Sequence, residues 1–135
     1  EITDYVPAGL RFEAADNPGW TDEGNNVIST RLLEGTLLQP GESATVEVVL
    51  TWINGANNLG EKINTAEISE DYNDHGDVPD RDSTPDNQVP GEDDIDIAKV
   101  ILAISTGIGQ TFFGLTIGLL SVVLVGIVLI KKFVL

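Results

Sequence analysis

The clearest periodic segment of the chain is Ser43 to Trp52, where Ala44, Val46, Val48, Leu50 and Trp52 alternate with Ser43, Thr45, Glu47, Val49 and Thr51. A period of two with one apolar face predicts a half-buried strand. Pro40-Gly41 turns into it, and Asn54-Gly55 followed by Asn57-Asn58-Leu59-Gly60 turns out of it. Lys62 to Glu70 predicts a second strand and Val27 to Leu33 a third, with Thr36 to Gln39 leading to the turn. Leu10 to Ala14 predicts a fourth after Pro7-Ala8-Gly9, and Asp96 to Ile104 a late one. Glu1 to Tyr5 reads as the end of a further strand. No segment before Leu102 has helical periodicity of useful length. Short strands separated by Gly, Pro and Asn turns predict a mainly β fold, an antiparallel β-sandwich lacking its first strands.

Beyond Leu102 the pattern changes. Leu102 to Ile130 carries no charge, and Thr111 to Ile130 is a twenty-residue apolar run interrupted only by Thr, Ser and Gly. At about 1.5 Å per residue a helix of that length covers about 30 Å, enough to cross a bilayer. Lys131 and Lys132 follow at once and act as a stop-transfer signal. Positive residues stay cytoplasmic, so the expected topology is single-pass in a cell membrane, N-terminus outside and C-terminus inside. The division is a β-domain at 1–105 with an acidic loop at 70–96, a linker at 106–110, a transmembrane helix at 111–130 and a tail at 131–135. Gly114 and Gly118 sit at the spacing that lets two helices approach closely, which leaves a homodimer open beside the plainer reading that glycine is common in membrane helices.

Charge sharpens this division. All 22 acidic residues lie at or before Asp96, against five basic ones up to Ser105: Arg11, Arg31, Lys62, Arg81 and Lys99. Such a surface repels phosphate backbones, which argues against nucleic acid. With no cysteine, disulfides cannot staple the domain. No signal peptide is visible at Glu1, so the sequence reads as the tail of a longer exported precursor.

Five segments occur in order: Asp4-Tyr5-Val6-Pro7-Ala8-Gly9-Leu10, Asp16-Asn17-Pro18-Gly19-Trp20-Thr21, Leu38-Gln39-Pro40-Gly41-Glu42-Ser43, Asn64-Thr65-Ala66-Glu67-Ile68-Ser69 and Asp82-Ser83-Thr84-Pro85-Asp86-Asn87. Together, over roughly residues 1–105, they resemble the Ig-like repeat of large bacterial cell-surface proteins, including isopeptide-forming fimbrial and adhesin repeats. The resemblance implies a stalk or adhesin module that adjoins other repeats of the same surface protein, and not an enzyme. It also implies that Asn64 is the strand asparagine of an isopeptide pattern, linked to a lysine with help from a nearby Asp or Glu. Period two places Asn64 inward with Ala66 and Ile68. The lysine normally comes from the first strand, and Lys62 is badly placed on the same strand as Asn64. A hydrogen-bonded core asparagine is therefore the favoured reading.

Two further features bear on chemistry. Asp71, Asn73, Asp74, Asp77, Asp80, Asp82 and Asp86 offer hard oxygen ligands that suit Ca²⁺, although their spacing departs from a full calcium loop. A solvated acidic loop is the competing reading. Ser105-Thr106-Gly107, the apolar run and Lys131-Lys132 resemble a sortase sorting signal with cleavage between Thr106 and Gly107 and attachment to the cell wall. No Leu-Pro precedes Thr106 at the required place, so a plain anchor is the expectation. His75 is the only histidine and stands in a polar stretch, so neither a zinc site nor a Ser-His-Asp triad is expected. The leading function is a structural spacer at the membrane. A calcium- or ligand-binding adhesion module is the alternative.

Overall fold

The computed structural model describes residues 1–55, 57–71 and 83–103 in full and the backbone of 122–129. Eight strands form: β1 (Ile2–Tyr5), β2 (Leu10–Phe12), β3 (Trp20–Gly24), β4 (Val27–Thr30), β5 (Ala44–Trp52), β6 (Gly60–Ile68), β7 (Ile95–Leu102) and β8 (Val122–Leu129). A single 3₁₀ turn, Ala14–Asp16, lies between β2 and β3. One sheet has the order β3-β4-β1-β6-β7 and the other β2-β5-β8, and every strand pairing is antiparallel. The chain is thus mainly β.

Alternation along the strands builds a core to which both sheets contribute. β5 supplies Val46, Val48 and Leu50, and β2 supplies Leu10. From the larger sheet come Ile2, Trp20, Ile28, Ala66 and Leu102, with Ile68, Ala98 and Val100 packed at the margin. The apolar face predicted for β5 is the one that is buried. β6, β7, β4 and β2 form where strands are expected, with shifted ends.

β3 is the strand that hydrophobic pattern misses. Only Trp20 is buried in Trp-Thr-Asp-Glu-Gly, so it has no apolar stripe. Its signal lies in the turn instead. Asn25 and Asn26 both take positive φ, 53° and 63°, as the two-residue hairpin to β4 requires, and a register shift between Asp22 and Gly24 adjusts the pairing.

Over the described part of the expected span, the backbone of 122–129 forms β8. Val122 to Leu129 pairs with β5 from Ala44 to Thr51. The segment is rich in β-branched Val and Ile, which favour strands, and β5 presents a full row of N–H and C=O groups to it. The rest of the predicted span lies outside the described residues. Among the described residues no helix is long and apolar enough to cross a membrane.

The opposite edge of β5 is closed mostly by side chains. β2 pairs only with Leu50 to Trp52. Beyond it, the Asn17 amide donates to the Val49 carbonyl at 2.9 Å, and its Oδ1 accepts from the Val49 N–H at 2.6 Å. One step further, Trp20 Nε1 donates to the Glu47 carbonyl at 2.8 Å. An asparagine side chain and an indole thereby continue the ladder that β2 begins. Asn58 plays a similar part at the end of β5, donating to the carbonyls of Gly9 and Ile53 at 2.6 Å each. Gly9 has φ +98°, and a Cβ there would sit 1.8 Å from Asn58 Oδ1, so only glycine fits.

Replacing Asn17 by Ala strands the N–H and C=O of Val49 in a half-buried place. The expected cost is on the order of 2–4 kcal/mol, measured by urea unfolding of the detergent-solubilised chain. A loss no larger than that of an exposed Asn→Ala control would show that water satisfies the edge instead.

Candidate functional site

Asn64 lies in the middle of β6 and is 2% exposed, on the inward face as its parity with Ala66 predicts. β1 runs alongside, and Asp4, fully buried, stands beside it. Asn64 Nδ2 donates to Asp4 Oδ2 at 2.5 Å. The other two oxygens, Asp4 Oδ1 and Asn64 Oδ1, are buried without a partner among the described residues. Burial raises the Asp4 pKa to about 6, and the Asn64 hydrogen bond only partly opposes it. The pair therefore combines a carboxyl that holds its proton well above the usual range with a carboxamide aimed at it.

Neither nearby lysine completes this pair. Lys62 shares the strand with Asn64. Lys99 is exposed and pairs with Glu61 at 3.5 Å. The residue opposite Asn64 on β7 is Ala98. Asp4 is the residue that the sequence leaves unmarked, because a lone Asp near a strand end reads as surface. Only its inward parity with Ile2 could have exposed it.

A second carboxylate lies on the other face of the same sheet. Glu67 is fully buried, although strand parity turns it away from the core. Residues 84–92 cover it, and its oxygens accept from Tyr5 OH at 3.1 Å, the Asn87 N–H at 2.9 Å and the Gln88 N–H at 3.2 Å. Tyr5 OH also lies 3.5 Å from Asp86 Oδ1. Burial, with Glu67 and Asp86 nearby, pushes the Tyr5 phenol well above its ordinary range. Asp94, just before β7, is 4% exposed.

An open cleft of about 480 Å³ borders Tyr5 and is lined by Glu1, Thr3, Glu23, Val27, Ser29 and Asp86. Its carboxylates are engaged. Glu1 binds Arg31 at 2.7 Å, and Glu23 accepts from the Ser29 hydroxyl at 2.7 Å.

Of the expected calcium ligands, Asp71 and Asp86 are described. Asp86 is exposed and faces Tyr5. Asn73, Asp74, Asp77, Asp80 and Asp82 lie outside the described residues, as do His75, Thr106, Gly107, Gly114, Gly118, Lys131 and Lys132. Among the described residues, no three His, Cys, Asp or Glu side chains converge as a metal-binding group.

Asp4 supplies a pH test. Its folded pKa stands above the unfolded value of 3.8, so the native state binds this proton more tightly. The resulting stabilisation is complete below about pH 4 and is lost as pH rises through about 6. Relative to wild type, Asp4→Asn should therefore gain stability from pH 4 to pH 7, by up to about 3 kcal/mol for a shift of this size. Urea unfolding across that range reads it, and a pH-independent difference between the two proteins would count against a raised pKa.

No family model, curated protein or solved structure matches the chain.

Proposed function

We propose that the chain is a membrane-proximal spacer of a bacterial surface protein: an Ig-like β-sandwich module whose apolar segment anchors it. The observation that carries this reading is the join between two unlike parts. An all-antiparallel acidic β-domain is followed by twenty apolar residues, 111–130, and then by Lys131-Lys132. The engagement of the cleft carboxylates by Arg31 and Ser29 supports a mechanical role over a catalytic one. In lipid the apolar segment has no backbone partner except itself, and a helix satisfies it. The acidic domain then stays outside and the two lysines inside.

The natural absence of cysteine makes topology directly testable. Single cysteines replace Thr84 and Phe133, and intact cells receive a membrane-impermeant maleimide. Thr84→Cys should label, and Phe133→Cys should label only after permeabilisation. Equal labelling of both on intact cells would sink the anchor.

The Asp4–Asn64 pair supports a second reading, in which it is the acceptor half of an amide cross-link. A neutral lysine amine adds to Asn64 Cγ, the Cγ–Nδ2 bond breaks, and ammonia leaves. Asp4 holds and returns the proton that moves between the two nitrogens. The amine would come from a strand other than those described. Mass spectrometry of the protein purified from its host should then find the Asn64 peptide joined to a lysine peptide, lighter by one ammonia. The link should vanish in Asp4→Ala. An unlinked Asn64 peptide in the native protein would leave the pair as a core hydrogen bond.

A further inference from the structure

The two ends of the β-domain differ in chemistry. Leu102, the last residue of β7, pairs with Gly60 at the start of β6. The β5–β6 connection joins that point to the end of β5, where Leu10 of β2 pairs with Trp52. Side chain and backbone tie the connection down. Trp52 Nε1 donates to the Asn58 carbonyl at 3.1 Å, and the Ile53 N–H donates to the Gly9 carbonyl at 2.9 Å. β1 reaches only to Thr65 on β6, so the β3–β4 hairpin beside it is set back from this end. Ile53, Leu59, Ile63 and Ile101 are all exposed here, Ile101 by 74%. Strand parity puts Ile63 and Ile101 on the outer face of one sheet, while Ile53 and Leu59 flank the β5–β6 turn.

Charge divides along the same axis. Segments 6–13, 50–55, 57–63 and 97–102 build this end. They carry three of the five basic residues up to Ser105: Arg11, Lys62 and Lys99. Of the 22 acidic residues they carry two, Glu13 and Glu61, which pair with Arg11 at 3.1 Å and Lys99 at 3.5 Å. No ion pair among the described residues takes up Lys62. The opposite end carries Glu1, Glu42, Glu70, Glu92 and Asp93 against Arg31. β6 is nine residues long, so about 30 Å of strand separates the two ends. That is several times the Debye length of about 8 Å at physiological salt, so the acidic end does not repel what the other end meets.

The chain also enters its apolar segment from this end. From Leu102 to Thr111 it spans at most about 30 Å even when extended. β8 meets β5 at the same end, with Val122 opposite Thr51. A bilayer that holds 111–130 therefore lies within reach of the four exposed apolar side chains.

We infer that this end of the β-domain rests in the headgroup layer of the bilayer. Ile53, Leu59, Ile63 and Ile101 enter the interface, and Arg11, Lys62 and Lys99 stand against lipid phosphates. Apolar residues scattered singly need no partner, but four gathered at the least acidic end do. A lipid interface accepts such a rim, because aliphatic side chains enter the acyl boundary while basic ones stay with the phosphates. Trp52, half-exposed beside Ile53, is of the type enriched at that depth. The inference rests on the anchor proposed above. It adds that the domain is held against the membrane instead of swinging on a free tether.

The test uses the full chain reconstituted in vesicles of phosphatidylcholine and phosphatidylglycerol. An environment-sensitive fluorophore is attached to a single introduced cysteine. On Asn57→Cys it should emit further to the blue than on Ser43→Cys at the opposite end, and brominated lipids should quench only the former. Adding Ile53→Ser, Leu59→Ser and Ile101→Ser should abolish both effects while circular dichroism keeps its β signal. The comparison of Asn57→Cys with Ser43→Cys stands without that variant. Maleimide labelling of Phe133→Cys scores the anchor separately. With the segment inserted, an Asn57→Cys probe that reports water would overturn the inference and leave the anchor standing. So would a blue shift that survives the three serines. A shift that fades as protein-free lipid is added would also overturn it, since a second copy would then be the occupant. Loss of the anchor itself would remove both readings.

Discussion

The backbone of β5 sets the terms for the rest of the structure. It is nine residues long, it supplies three of the most buried core side chains, and both its edges carry N–H and C=O groups that need partners. One edge is closed by β2 for three residues and then by the side chains of Asn17 and Trp20. That arrangement explains the segment between β2 and β3. The 3₁₀ turn and the Gly19 backbone at φ +91° bring Asn17 and Trp20 to the strand one after the other. Trp20 then spans both sheets, since it belongs to β3 yet bonds to β5. The other edge takes β8. A strand so placed cannot shift register without uncovering Val48 and Leu50, because a one-residue slip would turn its apolar face to solvent.

The buried polar groups were unequally legible in the sequence. Asn64 follows from parity alone: it shares a face with Ala66, and that face is the core. Asp4 obeys the same rule with Ile2, but a four-residue strand gives the pattern too little length to outweigh a charged residue. Glu67 breaks the rule. Parity places it on the outer face, and it is buried only because residues 84–92 fold back over it. That return is a tertiary event with no local periodicity, so neither Glu67 nor Asp94 could be picked out from spacing. β3 was hidden for a related reason. Its stability comes from one tryptophan and a left-handed Asn-Asn turn, whereas the apolar alternation that marks β5 and β6 is missing from it.

Three buried carboxylates among the described residues meet desolvation differently. Glu67 receives three donors. Asp4 receives one donor, and burial raises its pKa to about 6, so that it is easily neutralised. Among the described residues Asp94 has only the Ser83 hydroxyl and its own backbone N–H close by, and burial, with the Glu67 and Glu92 charges, raises its pKa. The difference lies in backbone supply. Glu67 faces the free N–H groups of a turn, whereas Asp4 sits between paired strands whose N–H groups are already used. Where donors run short, as at Asp4, holding a proton improves the balance.

The same shortage governs the apolar segment. Val122 to Leu129 can satisfy its backbone on β5 or within a membrane helix, but not in both at once. On β5 it closes an edge that would otherwise be open across eight residues, and it draws strand-forming Val and Ile into the pairing that suits them. In a bilayer it leaves that edge bare, with the outward N–H and C=O groups of β5 dependent on water or on another strand. If the segment anchors the chain as proposed, domain and segment are coupled through one strand edge. Whatever held the segment in lipid would then also decide whether β5 ends the sheet or offers it to a neighbour.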